Sequence, residues 1–524
     1  MAQGAHVLES ERRWAPVSPP RRVRALTALV AAITVGALSY ILAAGAGPAS
    51  QTMASDSLRT SGASTSVLTG TPTAVTAELA QRLFISAPVV VVAASTARSS
   101  LLAAAASEAR RKSAPLLLVS QAPRSNRIDV SRSVQAEVKA LRPEGVLAVG
   151  IAPRSLAALL PGTTVVSAMS ALPAVTAPAG LRSVAILVAA GDKSAATTAV
   201  AASAHSAGAQ VVSVHGDDPR ADPAAITVLA RTKPQRVVAV GAGFGTASSL
   251  ALADADAETG VQLPGGGQIL FPMHRLICLY GSPSTPALGA LGQQDLPASI
   301  ARIQAIAAKY RPLSRVPVVP AFEILATIAQ GSAGHKGLYS FENTVAALRP
   351  WVLQATRDGL YVILDLQPGR ADLLTQAKRY QSLLKLPDVG LALDPEWKLQ
   401  PTQLPLHQIG SVSVGEVNSV ITWLARLTAR YRLPQKLLVL HQFRLSMIVG
   451  ESRIDTQHKD LAIVIHMDGQ GAPSSKQQTW NAVISSAPRG VFFGWKNFFV
   501  KDHPMLTARQ TMRHRPRPVM ISYQ

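Results

Sequence analysis

The chain has 524 residues, of which 48% are apolar and 15% are charged, and its formal net charge is +21. This length predicts two or three domains, and the composition excludes a largely disordered protein. The charge favours anionic partners, but because no basic stripe with interleaved aromatic residues is present, we expect no nucleic-acid binding. The single cysteine, Cys278, excludes an internal disulfide and a cysteine-based zinc site, and its apolar neighbours predict a buried side chain.

The N-terminal region contains a segment of membrane-spanning length. Residues 25–44 are 20 consecutive uncharged residues, enough for a helix to cross a bilayer, and arginines precede them. The positive-inside rule therefore predicts a cytosolic basic tail over 1–24, a transmembrane anchor over 25–44 and a single-pass cell-membrane protein whose bulk is extracytoplasmic. A cleaved signal peptide remains the alternative. Residues 45–75 are rich in small polar residues and predict a flexible linker.

Strands and helices alternate from residue 76 onward, in two similar halves. Pro143 and Pro234 each lie seven residues before the glycine that closes the last strand of their half, which gives a repeat period of about 91 residues. The alternation predicts a doubly wound parallel α/β domain over 76–263. The predicted strands are 88–94, 114–119 and 145–150 in the first half, and 183–188, 210–214 and 236–241 in the second.

Each half resembles the cell wall-binding repeat (type 2) of Gram-positive envelope proteins. The likeness lies in APLLLVSQ at 114–121, VQAEVKALRP at 134–143 and GVLAVG at 145–150. This resemblance implies non-covalent attachment to an anionic wall polymer, which the net positive charge would favour.

The region 268–524 carries eight short apolar segments, with helical patterns between most of them. This pattern predicts a (β/α)₈ TIM-like barrel, whose active site lies at the C-terminal ends of the strands. Several segments end in a charged or polar residue, so we expect one polar pocket at that end. The predicted strands are 275–280, 316–321, 360–366, 389–393, 436–441, 461–467, 490–494 and 518–522.

This region also resembles a family of uncharacterised TIM-barrel-like bacterial envelope proteins. The likeness is carried by LDLQPGR at 364–370, LALDPEW at 391–397 and IHMDG at 465–469, among other motifs. The resemblance implies a fold and no established activity. A more distant likeness to glycoside-hydrolase barrels is an analogy of fold alone.

Glycan hydrolysis is the first functional hypothesis, because glycosidases use two carboxyl groups that face each other across the scissile bond. In this hypothesis Glu396 is the acid, and Asp365 or Asp394 is the nucleophile or base. The predicted catalytic set is Glu323, Asp365, Asp394, Glu396 and Asp468. Trp397 and Trp495 are predicted to stack on sugar rings, and the other predicted ligand contacts are Tyr280, Gln367, His441, Gln442, His466 and Lys496.

Two alternatives stay open. One is a metal-dependent hydrolase in which His441, His466 and Asp468 form a two-histidine, one-carboxylate set. The other is a barrel that binds glycan without cleaving it, or serves as a scaffold. We expect no cofactor and no metal, and we expect cell-wall or envelope polysaccharide as the partner, with membrane contact through the N-terminal helix. Whether the protein is an enzyme is left open by the sequence.

Overall fold

A computed structural model describes residues 54–122 and 127–524, which belong to one compact unit. The predicted cytosolic tail and transmembrane anchor, residues 1–24 and 25–44, lie outside these described residues.

The predicted single-pass membrane location is corrected by the described part of the chain. None of its helices combines the length and the apolar composition that a bilayer span requires. Helix Val414–Arg430, of 17 residues, would cover about 25 Å, against roughly 30 Å of hydrocarbon. Its apolar side chains lie on one face and pack on the barrel. The described residues therefore do not support the predicted single-pass location.

The predicted flexible linker, residues 45–75, is also corrected where the structure describes it. Thr65–Leu68 is a β-strand, and helix Pro72–Leu83 begins within the predicted linker. The helix starts there because the Thr71 side chain accepts a hydrogen bond from the Ala74 amide, and Pro72 occupies the first turn. Two further short strands are Ala54–Ser55 and Ser57–Leu58.

Two separate β-sheets follow from the two predicted halves. The first has the spatial order Ile128–Asp129, Leu116–Gln121, Val89–Ala94, Gly145–Val149, Val165–Val166. The second is entirely parallel and has the order Gln210–Val214, Val184–Ala189, Arg236–Val240, Thr65–Leu68. In both sheets the first strand of the half lies between the second and third, so the repeat is present in the topology. Besides Pro72–Leu83, the α-helices of this region are Ser99–Arg111, Arg132–Leu141, Pro153–Ala157, Ala195–Ser206, Pro223–Thr232 and Ala247–Ala257.

The strand Thr65–Leu68 joins the second sheet although it precedes the first half in sequence. It pairs with Arg236–Val240, and Leu68 is fully buried in a core shared with residues of both halves. Helix Pro72–Leu83 contributes to the same core. The two halves are therefore linked by the N-terminal segment.

The C-terminal region is a closed parallel barrel of eight strands, as predicted. Each strand pairs with its neighbours, and the first strand also pairs with the second and the last, which closes the barrel. In order, the strands are Arg275–Gly281, Val318–Ala329, Tyr361–Leu366, Val389–Leu393, Lys436–His441, Leu461–Met467, Phe492–Asn497 and Met520–Tyr523.

Helices cover the outside of the barrel. They are Leu296–Ala308, Val345–Arg357, Leu373–Arg379, Gln381–Leu384, Val414–Arg430, Pro473–Ser486 and Ala508–Thr511. The connection after the fifth strand contains 3₁₀ turns, Leu445–Met447 and Glu451–Arg453, in place of an α-helix.

The barrel interior is apolar toward the N-terminal ends of the strands. Because alternate residues of a strand share one face, side chains two residues apart line the inside together. The inward apolar positions include Leu276, Cys278, Val319, Ala321, Tyr361, Ile363, Leu437, Val439, Ala462 and Val464. Cys278 is a buried free cysteine, as predicted. The next inward position on each strand, toward its C-terminal end, is where the polar residues begin.

Candidate active site

A layer of polar side chains lies directly above the apolar interior, and all eight strands supply one member. Seven of these residues are on a strand and Asp394 follows the fourth strand. All are almost completely buried. The layer consists of Tyr280, Glu323, Asp365, Asp394, His441, His466, Lys496 and Ser522, with Gln367, Glu396 and Asp468 immediately beyond it.

An ion-pair chain crosses this layer. Nε2 of His441 lies 2.9 Å from Oε1 of Glu323, and Nδ1 lies 3.2 Å from Oδ2 of Asp468. Burial alone would lower the pKa of His441, but the two carboxylates raise it well above its usual range. Burial would likewise raise the pKa values of Glu323 and Asp468, yet interactions with His441 lower both. His441 is therefore a buried cation between two carboxylates.

Two further buried carboxyl groups, Asp365 and Asp394, have raised pKa values. The Tyr280 hydroxyl donates to Oδ2 of Asp365 over 3.0 Å, and Nε2 of Gln367 lies 3.4 Å from both the Tyr280 oxygen and Oδ2 of Asp394. Burial raises the pKa of Asp365 to about 6. Burial, followed by the neighbouring charges of Glu396 and Asp365, raises the pKa of Asp394 well above its usual range.

Glu396 is the most accessible of the predicted catalytic carboxyl groups. It lies in a 3₁₀ turn, Pro395–Trp397, at the end of the fourth strand, and it is half-buried while the other four are buried. Burial and then the negative charge of Asp468 raise the pKa of Glu396 to about 7, although Lys496 opposes the shift. Glu396 therefore holds a proton near neutral pH at a position that a ligand can reach.

Lys496 supplies the second positive charge of the site. Its Nζ lies 3.6 Å from the centroid of the Tyr280 ring, a cation–π contact. Its charge lowers the pKa values of Glu323, Asp365, Glu396 and Asp468. His441 and Lys496 compensate the ionised Glu323 and Asp468, and the Tyr280 hydroxyl donates a hydrogen bond to Asp365. This balance explains how a buried site accommodates so many ionisable groups.

His466 is a neutral member of the layer. Burial lowers its pKa to about 3, and its Nε2 lies 2.7 Å from the Ser522 hydroxyl. A Cβ atom on Gly494 would lie 2.8 Å from Nδ1 of His466, so the glycine makes room for the imidazole ring. Ser522 was absent from the predicted site. The signal was available, because Ser522 is the last residue of the predicted eighth strand.

Two predicted ligand contacts lie outside the polar layer. Trp495 is completely buried against Trp480, with ring centroids 5.6 Å apart, because successive strand residues face opposite sides and its neighbour Lys496 points into the barrel. Gln442 donates to Glu451 over 3.1 Å. We therefore correct both assignments. Trp397 is half-buried beside Glu396, and its indole N–H has no hydrogen-bond partner among the described residues.

Three carboxyl groups have the geometry to hold a metal ion. One oxygen from each of Asp394, Glu396 and Asp468 lies within 4.8 Å of the others. Oxygen ligands of this kind suit Mg²⁺, Mn²⁺ or Ca²⁺. Among the described residues, the predicted set of His441, His466 and Asp468 does not have this geometry. His441 instead pairs with Glu323 and Asp468, and His466 with Ser522.

Comparison with known proteins assigns no family. No protein-family model and no curated protein matches the chain. A mutant form of Thermotoga maritima Cel5A in complex with cellobiose is 9% identical, with a TM-score of 0.26 over 48% of this chain and 88% of that chain. The Podospora anserina GH26-CBM35 β-(1,4)-mannanase is 10% identical, with a TM-score of 0.26 over 49% of this chain and 56% of that chain. Similarity at this level assigns no activity.

Proposed function

We propose that the barrel hydrolyses glycosidic bonds, with Glu396 as the general acid and Asp468 as the ionised carboxylate. One observation carries the proposal: two carboxyl groups with oxygens within 4.8 Å have pKa values shifted in opposite directions. Pairs of titratable groups whose surroundings separate their pKa values are the mark of acid–base assignments.

Each group suits its role chemically. Glu396, with a pKa of about 7, retains the proton that the leaving oxygen must receive, and it is the accessible member of the pair. Asp468 is held ionised by His441, which is fixed in turn by Glu323. A short separation favours attack by Asp468 on the anomeric carbon and a retaining outcome, since inverting enzymes leave roughly 6.5–9.5 Å for a water molecule.

The roles that the sequence suggested for Asp365 and Asp394 are revised in this proposal. The pKa of Asp394 is raised well above its usual range, so this group is poorly suited to act as an anion. Asp365 is fully buried and accepts a hydrogen bond from the Tyr280 hydroxyl, which makes it less available than Asp468 for attack. Protonated Asp394, Gln367 and Lys496 offer hydrogen-bond donors for sugar hydroxyl groups. The half-buried Trp397 offers an aromatic face next to the acid.

We further propose envelope polysaccharide as the substrate. The support is the resemblance of residues 114–150 to cell wall-binding repeats, together with the net charge of +21, which favours anionic polymers.

The test is hydrolysis of purified cell-wall polysaccharide and a panel of aryl glycosides by the full chain. Glu396→Gln and Asp468→Asn are expected to lower turnover by about 10²-fold to 10⁴-fold. The matched control is Asp254→Asn, which removes another carboxyl group whose pKa burial raises to about 7, in helix Ala247–Ala257. The control should retain full activity.

The alternatives give different results in the same assay. Polysaccharide binding without turnover in any variant would make the barrel a recognition module. Turnover that is abolished by a chelator and restored by Mg²⁺ or Mn²⁺ would favour a metal-dependent hydrolase using Asp394, Glu396 and Asp468.

A further inference from the structure

Three arginines converge on a cavity at the start of the second sheet, remote in sequence from the barrel. Arg59, Arg82 and Arg236 line a cavity of about 350 Å³, together with Ser61 and Ser66. No carboxylate is among the described lining residues. The cavity lies where strands Thr65–Leu68 and Arg236–Val240 begin and helix Pro72–Leu83 ends.

Arg236 forms the floor of this cavity and is fixed rigidly. It is 6% exposed, and its guanidinium donates to the carbonyls of Arg59, Ser61 and Arg82 over 2.9, 2.8 and 3.2 Å. These bonds use three of its five N–H groups. Within the described ranges no carboxylate pairs with Arg236, so its charge is compensated only by carbonyl dipoles. The nearby charges of Arg59 and Arg82 add to burial in lowering its pKa.

Several donors around the cavity are unused. Ser66 is 7% exposed and its hydroxyl has no partner among residues 54–122 and 127–524. Nε of Arg82 is likewise buried and unpaired within this set. Arg59 donates through Nε to the Gln81 carbonyl over 2.9 Å, and this bond leaves its terminal amino groups for a ligand. Of the three arginines, Arg82 pairs with a carboxylate, Glu78, at 2.7 Å.

A purely structural role explains only part of this arrangement. Arg236 and Arg59 do satisfy carbonyls near the end of helix Pro72–Leu83, as cations near helix C-termini commonly do. That role leaves the Ser66 hydroxyl and the Arg82 Nε unexplained, because a buried polar group without a partner is costly. A tetrahedral oxyanion would accept hydrogen bonds from these groups and neutralise the guanidinium charges at once.

We propose that this cavity is a binding site for a phosphate group, either free or as a phosphate ester. Arg82, Arg59 and Ser66 are the recognition residues, and Arg236 supports them from beneath.

The experiment is calorimetric titration of the full chain with inorganic phosphate and, separately, with glycerol 3-phosphate. We expect binding of at least one of them, weakened about tenfold or more by Arg82→Gln and several-fold by Ser66→Ala. The matched control is Arg110→Gln, an equal change of charge at an exposed position of helix Ser99–Arg111, which should leave affinity unchanged. Tighter binding of the ester than of phosphate would identify an esterified ligand, and equal or weaker binding would identify free phosphate.

Arg236 is left intact in these variants. Its removal would leave three backbone carbonyls without their hydrogen-bond donor and would destabilise the fold. Absence of binding by either anion would overturn the proposal. Equal weakening by Arg110→Gln and Arg82→Gln would also overturn it, because it would reduce the effect to general positive charge.

Discussion

At the scale of single residues, the barrel keeps Glu396 protonated and Asp468 ionised although both are carboxyl groups. The difference comes from their neighbours: Asp468 contacts the His441 cation, while the half-buried Glu396 lies next to the Asp468 charge. Removal of a positive neighbour should therefore shift the balance in a defined direction.

Lys496→Met tests this electrostatic account. The lysine charge lowers the pKa of Glu396, so its loss should raise that pKa further and move the alkaline limb of the kcat/KM profile, expected near pH 7, to higher pH. The measurement is the pH dependence of aryl-glycoside hydrolysis. An unchanged or downward-shifted limb would contradict the assignment of Glu396 as the acid.

Glu323→Gln should destabilise the protein strongly. The substitution leaves the buried His441 cation with one neighbouring carboxylate, Asp468, where it had two. Breaking a buried ion pair typically costs about 3–5 kcal/mol. Urea unfolding monitored by fluorescence would give the change. Glu108→Gln, which removes the exposed pair with Arg111, should cost less than about 1 kcal/mol. If both variants lost a similar free energy of unfolding, the ion pair between His441 and Glu323 would not be a major source of stability.

At the scale of secondary-structure elements, the strand Thr65–Leu68 completes the second sheet and the core between the halves. We expect Leu68→Ala to lower the free energy of unfolding by about 2–5 kcal/mol, because the side chain is fully buried. Leu252→Ala, at a side chain that is 72% exposed, should change it by less than about 0.5 kcal/mol. Chemical denaturation of both variants checks this. A small effect at Leu68 would mean that the segment is not an integral part of the fold.

The seventh and fourth strands place their tryptophans differently, which predicts separable effects. Trp495→Ala should cost about 3–5 kcal/mol of stability, because the ring packs on Trp480 and His514. Trp397→Ala should raise KM for polysaccharide with a much smaller loss of stability, because Trp397 is only half-buried. Thermal unfolding and steady-state kinetics measure the two effects. The reverse pattern would show that Trp397 does not contact substrate.

At the scale of the whole molecule, stability should be greatest at mildly acidic pH. Burial raises the pKa values of Asp56, Glu137 and Asp254 to about 7 from ordinary values of 3.8, 4.5 and 3.8. Since the unfolded chain ionises these groups first, stability is lost as pH rises from about 4 to about 7. Glu323 and Asp468 have lowered pKa values, so their contribution is lost below about pH 4. Burial lowers the pKa values of His466 and His514 to about 3 and about 4, so stability is also lost as pH falls below about 6.5. The melting temperature should therefore peak between about pH 5 and about pH 6.5.

This prediction has a direct check. Asp254→Asn removes one of the raised groups and should flatten the decline of melting temperature between about pH 5 and about pH 8. A wild-type maximum at or above pH 7 would contradict the attribution to buried carboxyl groups.

The sequence by itself determined the α/β repeat, the eight barrel strands and most residues of the polar layer. It did so because alternation of buried strands and helices, and the position of polar residues at strand ends, are local patterns. Only the tertiary structure decided that Thr65–Leu68 belongs to the second sheet, since that pairing joins residues far apart in sequence. The same holds for which of the neighbours Trp495 and Lys496 points into the barrel, since alternation allows only one of them to do so. It holds also for which carboxyl groups carry protons, because a pKa depends on burial and on charges that eight separate strands bring together.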